Sequence, residues 1–116
     1  MKPRILIVDD EENIRKALHR WFEISGFDVD TAEDGVAAVE LCAGTQYDVV
    51  TMDLEMPRMN GKEAIAAIKL LQPDVPILML TGYPQNSAEV LNCGALKILT
   101  KPFRLQELEQ EVRSVL

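Results

Sequence analysis

Five polar positions in the sequence fall where a short apolar run ends, and their types suit phosphate and metal chemistry. Ile5-Leu6-Ile7-Val8 runs out into Asp9 and Asp10, Asp48–Met52 into Asp53, Val75–Leu80 into Thr81, and Ala95–Thr100 into Lys101. Asp9 to Glu12 is one acidic cluster, and Asp53 with Glu55 is another. If the first and third of these runs lie side by side, their carboxylates repel. Two like charges about 4 Å apart cost roughly 4 kcal/mol at an effective dielectric of about 20. A divalent cation offsets that cost, and hard oxygen donors favour Mg2+ or Mn2+ over zinc. Such an ion keeps open positions for phosphate oxygens, next to a carboxylate able to act as a nucleophile. Lys101 supplies a mobile positive charge for a phosphoryl oxygen, and Thr81 a hydroxyl that can donate to another.

The elements that must hold these groups follow from periodicity. Ile5–Val8 reads as a buried strand. Asn13–Ser25 has helical spacing, with Ile14, Ala17, Leu18, Trp21 and Ile24 on an apolar stripe and Gly26 as a stop. Phe27–Ala32 alternates like an edge strand, Val36–Ala43 is helical up to Gly44, and Asp48–Met52 is a strand. Lys62–Leu71 is helical, with Ala64, Ile65, Ile68 and Leu71 on one face. Val75–Leu80 is a strand with Pro76 near its start, Ser87–Cys93 a short helix closed by Gly94, and Ala95–Thr100 a fifth strand. Leu105–Leu116 is a last helix with Leu105, Leu108, Val112 and Val115 inward. Strands alternating with helices predict an α/β fold, (βα)5, with a parallel sheet covered on both faces. In such sheets ligands bind at the carboxyl ends of the strands. Four of the five run ends carry one of the groups above, whereas the second ends in Ala32.

Composition excludes several other classes. The chain has 116 residues, enough for one domain spanning 1–116, and 47% of them are hydrophobic, too many for disorder. Twelve basic against nineteen acidic residues give a net charge of −7, which argues against nucleic-acid binding by the general field. No apolar run approaches a membrane span, and the basic N-terminus meets only four apolar residues before acid, unlike a signal peptide. Cys42 and Cys93 show no CxxC spacing, which points to a reducing compartment and a cytoplasmic location. None of the six glycines forms G-x-G, and no P-loop motif is present. His19, the single histidine, sits in mid-helix and reads as a surface residue. Met52, Met56, Met59 and Met79 read as packing, and the two cysteines as small buried residues.

The fragments Val8-Asp9-Asp10-Glu11, Asp53-Leu-Glu-Met-Pro57, Met59-Asn60-Gly61, Leu80-Thr81-Gly82, Gly94-Ala95 and Lys101-Pro102-Phe103 resemble the receiver domain of two-component response regulators, the CheY-like superfamily. The resemblance covers the whole chain, in order. It implies a doubly wound, flavodoxin-like three-layer sandwich with strand order 2-1-3-4-5. It also implies that Asp53 is the phosphoacceptor, that Asp9 and Asp10 hold Mg2+ with Asp53 and the backbone carbonyl of Glu55, and that Lys101 pairs with a phosphoryl oxygen. By the same likeness Thr81 is the switch hydroxyl and Pro102 follows a cis peptide. A histidine kinase, phosphotransfer protein or small phosphodonor would supply the phosphoryl group. The domain would catalyse only its own phosphorylation and dephosphorylation. The likeness leaves room for an output domain after residue 116 and for a homodimer formed on phosphorylation.

Three departures stand out. By the likeness, Gly82 and Tyr83 follow Thr81 beside the phosphate entrance with Glu55 opposite, and these neighbours are expected to tune hydrolysis. The family usually places Tyr or Phe three residues before the lysine, where this chain has Ile98. Ile98 either fills core at a strand end or changes how the output face signals. The segment from Thr81 to Gly94 is short and opens with Tyr83-Pro84, so the fourth helix is expected to be reduced. Two other readings use similar residues. A Mg2+-dependent aspartyl-phosphate hydrolase would place its nucleophile after the first strand and needs a cap that 116 residues do not supply. A phosphorylation-independent interaction module on the same fold is the other.

Overall fold

The computed structural model describes residues 2–56, 61–82 and 94–116. The expected short helix at 87–93, with Tyr83, Pro84 and Cys93, and Pro57, Met59 and Asn60 of the motif lie outside the described residues. The elements run β1 (Arg4–Val8), α1 (Glu12–Ile24), β2 (Asp28–Ala32), α2 (Gly35–Gly44), β3 (Val49–Asp53), α3 (Gly61–Leu71), β4 (Ile77–Thr81), β5 (Lys97–Thr100) and the C-terminal helix, α4 (Leu105–Ser114). All strand pairs are parallel and the order is β2-β1-β3-β4-β5. The β1 and β3 strands are therefore neighbours, with Val8 beside Met52. That pairing brings the two acidic run ends to one rim.

The central strands need cover on both faces because their side chains alternate between two apolar layers. Leu6, Val8, Val50, Met52, Ile77 and Met79 pack with Ala38 and Cys42 of α2 and Ala64, Ile65 and Ile68 of α3. Ile5, Ile7, Val49, Leu78 and Leu80 pack with Leu18 and Phe22 of α1 and Leu108 and Val112 of α4. This is the three-layer sandwich expected from the sequence. Asp34 caps α2 by accepting a hydrogen bond from the Ala37 amide at 2.8 Å.

The expected stripe of α1 is rotated. Leu18 and Phe22 are its fully buried pair, whereas Ala17 is exposed and Ile24 is 75% exposed. Phe22 meets Phe27 edge-on, with ring centroids 5.2 Å apart, and this contact helps set the turn of the helix toward the sheet. Trp21 sits only half-buried, at the seam with α4, where its indole N–H donates to Glu109 Oε1 at 2.8 Å. The α3 face also ends earlier than expected. Leu71 is 44% exposed, and the buried place one residue on belongs to Gln72. The fourth strand starts at Ile77 rather than Val75, after Pro76, whose carbonyl accepts from the Val50 amide.

Candidate functional site

Local hydrogen bonding fixes Asp9 first. Its amide donates to Ala32 at 3.1 Å, its carbonyl accepts from Arg15 Nη1 at 2.8 Å, and its Oδ1 accepts from the Glu11 amide at 2.9 Å. Its Oδ2 is buried and has no hydrogen-bond partner among the described residues. A buried oxygen left unpaired costs free energy unless a ligand takes it up. Asp53 ends β3 almost fully buried, and its Oδ1 accepts from Lys101 Nζ at 3.0 Å and from the Glu55 amide at 3.2 Å. Asp9, Asp10 and Asp53 each place a carboxylate oxygen within 4.8 Å of the others. Asp10 is the exposed member. Hard oxygen donors so close, one of them unpartnered, fit a Mg2+-sized cation.

Electrostatics in this rim are strained in the direction a cation would relieve. Burial pushes the Asp53 carboxyl up, the Lys101 hydrogen bond opposes it only in part, and the Asp9 charge adds to it, so the pKa rises from 3.8 to about 6. Asp9 is raised too, chiefly by burial, against the pull of the Glu11 amide and of Lys101. Burial works to lower Lys101, but the hydrogen bond and charge of Asp53, with Asp9 and Glu55, outweigh it and hold the ammonium above the ordinary lysine value.

The β4 and β5 ends complete the rim. The Lys101 amide donates to the Thr81 carbonyl at 2.8 Å, which anchors the residue that reaches Asp53. The Lys101–Pro102 peptide is cis. The Thr81 hydroxyl donates to Glu55 Oε1 at 3.1 Å, and the Gly82 amide donates to the same oxygen at 3.0 Å. Ile98 pairs in register with Met79 and packs, half-buried, against the layer between the sheet and α2 and α3.

The structure thus brings Asp9, Asp10, Asp53 and Lys101 together and sets Thr81 beside them. Sequence reasoning gave Glu55 a backbone role and set it opposite Gly82, but did not find the contact its side chain makes with the β4 end. It also gave no role to Gly61, although Met59-Asn60-Gly61 was visible as a motif. A Cβ at Gly61 would stand 2.7 Å from Met79 Cε, 3.0 Å from Leu54 Cα and 3.1 Å from the Asp53 carbonyl oxygen. The methionine tip can move, but the backbone after Asp53 cannot do so without shifting the carboxylate. Gly61→Ala is therefore expected to cost about 1–3 kcal/mol in urea denaturation and to weaken Mg2+ binding as well. A variant of wild-type stability and metal affinity would show that this close approach is unimportant.

A five-stranded parallel sheet of this order, with acids, a threonine and a lysine at its carboxyl edge, defines the CheY-like class of doubly wound domains. A family profile for the response regulator receiver domain matches residues 5–113, and the chain belongs to that family. The response regulator MprA of Mycobacterium sp. (strain KMS) is 40% identical over 118 residues, covering 100% of this chain and 51% of MprA. The chain thus spans about half the length of that curated relative. Among solved structures, the chemotaxis protein CheY4 of Vibrio cholerae superposes with a TM-score of 0.94 at 32% identity, each chain covered in full. The response regulator TrrA of Thermotoga maritima, in complex with Mg2+ and BeF, gives 0.90 at 36%, again with full coverage of both. The protein is a receiver domain of two-component signalling, and no described helix is long and apolar enough to cross a membrane.

Proposed function

We propose that residues 1–116 form one receiver domain in which Asp53 accepts a phosphoryl group. The observation that carries this reading is a buried Asp53 carboxylate 3.0 Å from Lys101 Nζ, inside a cluster with Asp9 and Asp10. Asp9 and Asp10, with Asp53 and the backbone carbonyl of Glu55, would hold Mg2+ or Mn2+, which when bound supplies charge neutralisation for the transferring group. That a similar protein, TrrA, is found with Mg2+ and BeF supports the assignment.

The chain's own residues do the rest. An Asp53 oxygen attacks phosphorus in line with the bond to the donor nitrogen of a phosphohistidine. The P–N bond breaks, its electron pair leaves with the imidazole, and a P–O bond to Asp53 forms. Lys101 pairs with the negative charge of the group, and the Thr81 hydroxyl is the donor that responds to it. Water later hydrolyses the acyl phosphate, so the domain catalyses only its own phosphorylation and dephosphorylation. The donor is a histidine kinase or phosphotransfer protein, or a small phosphodonor. An apolar groove of about 500 Å3 suits a protein donor, because Ile14 and Ala17 of α1 and Pro102, Phe103 and Leu105 line it while Asp9 and Lys101 stand at its polar end. In a cytoplasmic setting the acyl phosphate would act on an output domain, on a separate partner, or on a second copy of the chain.

Intact-mass measurement after incubation with a small phosphodonor tests this reading. One phosphoryl group is expected with Mg2+ and none with EDTA. A wild-type protein that stays unmodified would instead favour a phosphorylation-independent interaction module. Asp10→Ala removes one exposed carboxylate from the cluster and should weaken Mg2+ binding by about tenfold or more in a calorimetric titration. Unchanged affinity would move the metal site elsewhere.

A further inference from the structure

We infer that the Glu55 carboxylate is an internal competitor of the phosphoryl group, occupying the two donors at the end of β4 until Asp53 is modified. Glu55 Oε1 accepts from both the Thr81 hydroxyl, at 3.1 Å, and the Gly82 amide, at 3.0 Å. These donors lie next to the acceptor residue. Asp53 pairs in register with Leu80, and the Leu54 amide donates to the Leu80 carbonyl at 2.9 Å. A phosphoryl group on Asp53 brings three acceptor oxygens to this rim. Lys101 and the Glu55 amide already stand on Asp53, and the further donors at the adjoining β4 end are the ones the Glu55 carboxylate holds. Glu55 thus presents a carboxylate where a phosphoryl oxygen would have to bind.

Competition rather than locking is the expected behaviour. Glu55 is solvent-exposed, so releasing it leaves no buried charge behind. Each phosphorylation event must displace it, and each hydrolysis lets it return. The residue is a positioning residue for the Thr81 switch, and it sets how much of the binding energy of the modified state is spent on exchange of acceptors. This inference rests on Asp53 as the site of modification.

The test uses beryllofluoride with Mg2+ as a phosphoryl mimic, titrated into the whole chain, with Glu55→Ala, Glu55→Asp, Thr81→Ala and the Glu55→Ala/Thr81→Ala pair. Glu55→Ala should bind the mimic about tenfold more tightly, as expected for removing a charge-assisted hydrogen-bond competitor. Glu55→Asp keeps the charge but is one methylene short, and should gain most of the same factor. In the Thr81→Ala background the gain from Glu55→Ala should shrink, which measures the coupling between the two side chains. Without any mimic, hydrogen exchange at the Gly82 amide should quicken in Glu55→Ala and in Glu55→Asp. A Glu55→Asp protein that matches wild type in both measurements would mean that charge alone matters, and would overturn the proposal. So would undiminished gain in the Thr81→Ala background. Wild-type protein that binds no mimic and takes no phosphoryl group would overturn the Asp53 assignment itself, an outcome separate from wild type that reacts while the Glu55 variants match it.

Discussion

Asp53→Asn is expected to abolish phosphorylation and, in the same protein without metal, to increase stability at neutral pH. Loss of modification follows from removing the nucleophilic oxygen, since an amide does not form the acyl phosphate. The stability gain follows from the carboxyl's displaced titration. In the unfolded chain Asp53 loses its proton near its ordinary value of 3.8, while in the folded protein it does so at about 6. Between these values the native state holds a proton that the unfolded state has released. Stability therefore falls as pH rises through this window, and the deficit persists above it. A displacement of about two units corresponds to about 3 kcal/mol. Asparagine resembles the protonated form and is free of this cost. In EDTA, urea denaturation should show the variant more stable by about 2–3 kcal/mol at pH 7, with the difference closing toward pH 4. A variant equal to or weaker than wild type at pH 7 would show that Lys101 and solvent already balance the Asp53 charge. Mg2+ should narrow the gap, because it binds wild type more tightly and so stabilises it more.

The largest loss of stability is expected far from this rim, at Gln72. Its side chain is buried, and Oε1 accepts from the Tyr47 amide at 3.1 Å. Its Nε2 donates to the carbonyls of Cys42, at 2.9 Å, and Thr45, at 2.6 Å. One amide thus ties the end of α3 to the end of α2 and to the turn that enters β3. Gln72→Ala would leave three backbone groups unsatisfied and open a cavity, at a cost of about 3–5 kcal/mol. That is a large part of the 5–15 kcal/mol typical of a domain, and the melting temperature should fall by roughly 10–20 °C. Gln72→Glu would keep the bond from Tyr47 but lose both donations, and should be destabilised to a similar degree. Because this tie lies at the opposite end of β3 from Asp53, the folded fraction should still take up a phosphoryl group. A loss below about 1 kcal/mol would mean that water replaces the side chain at little cost.

Much of the architecture was legible because it depends on local pattern. Ile5–Val8 and Ile77–Leu80 are apolar throughout, as strands covered on both faces must be, and the helix over Gly61–Leu71 follows from the spacing of Ala64, Ile65 and Ile68. The rotation of α1 was not legible. The expected stripe of Ile14, Ala17, Leu18, Trp21 and Ile24 is as good in the sequence as the face that is buried, and only the partners Phe27, Leu108 and Val112 make Phe22 the residue that goes inside. Gln72 gave no signal either, because a single polar residue after a helix is ordinary until two chain segments close over it.

For the site, the sequence alone determined which groups are present and that they fall at strand ends: Asp9, Asp10, Asp53, Thr81 and Lys101. Charge and donor type are properties of single residues, and strand ends follow from short-range periodicity. Tertiary structure alone decided the distances: the β1–β3 pairing that crowds the carboxylates, the 3.0 Å contact of Lys101 with Asp53, and the hold of Glu55 on Thr81 and Gly82. Those contacts join residues from different strands and loops, and side-chain reach and desolvation are set only once the sheet has placed them.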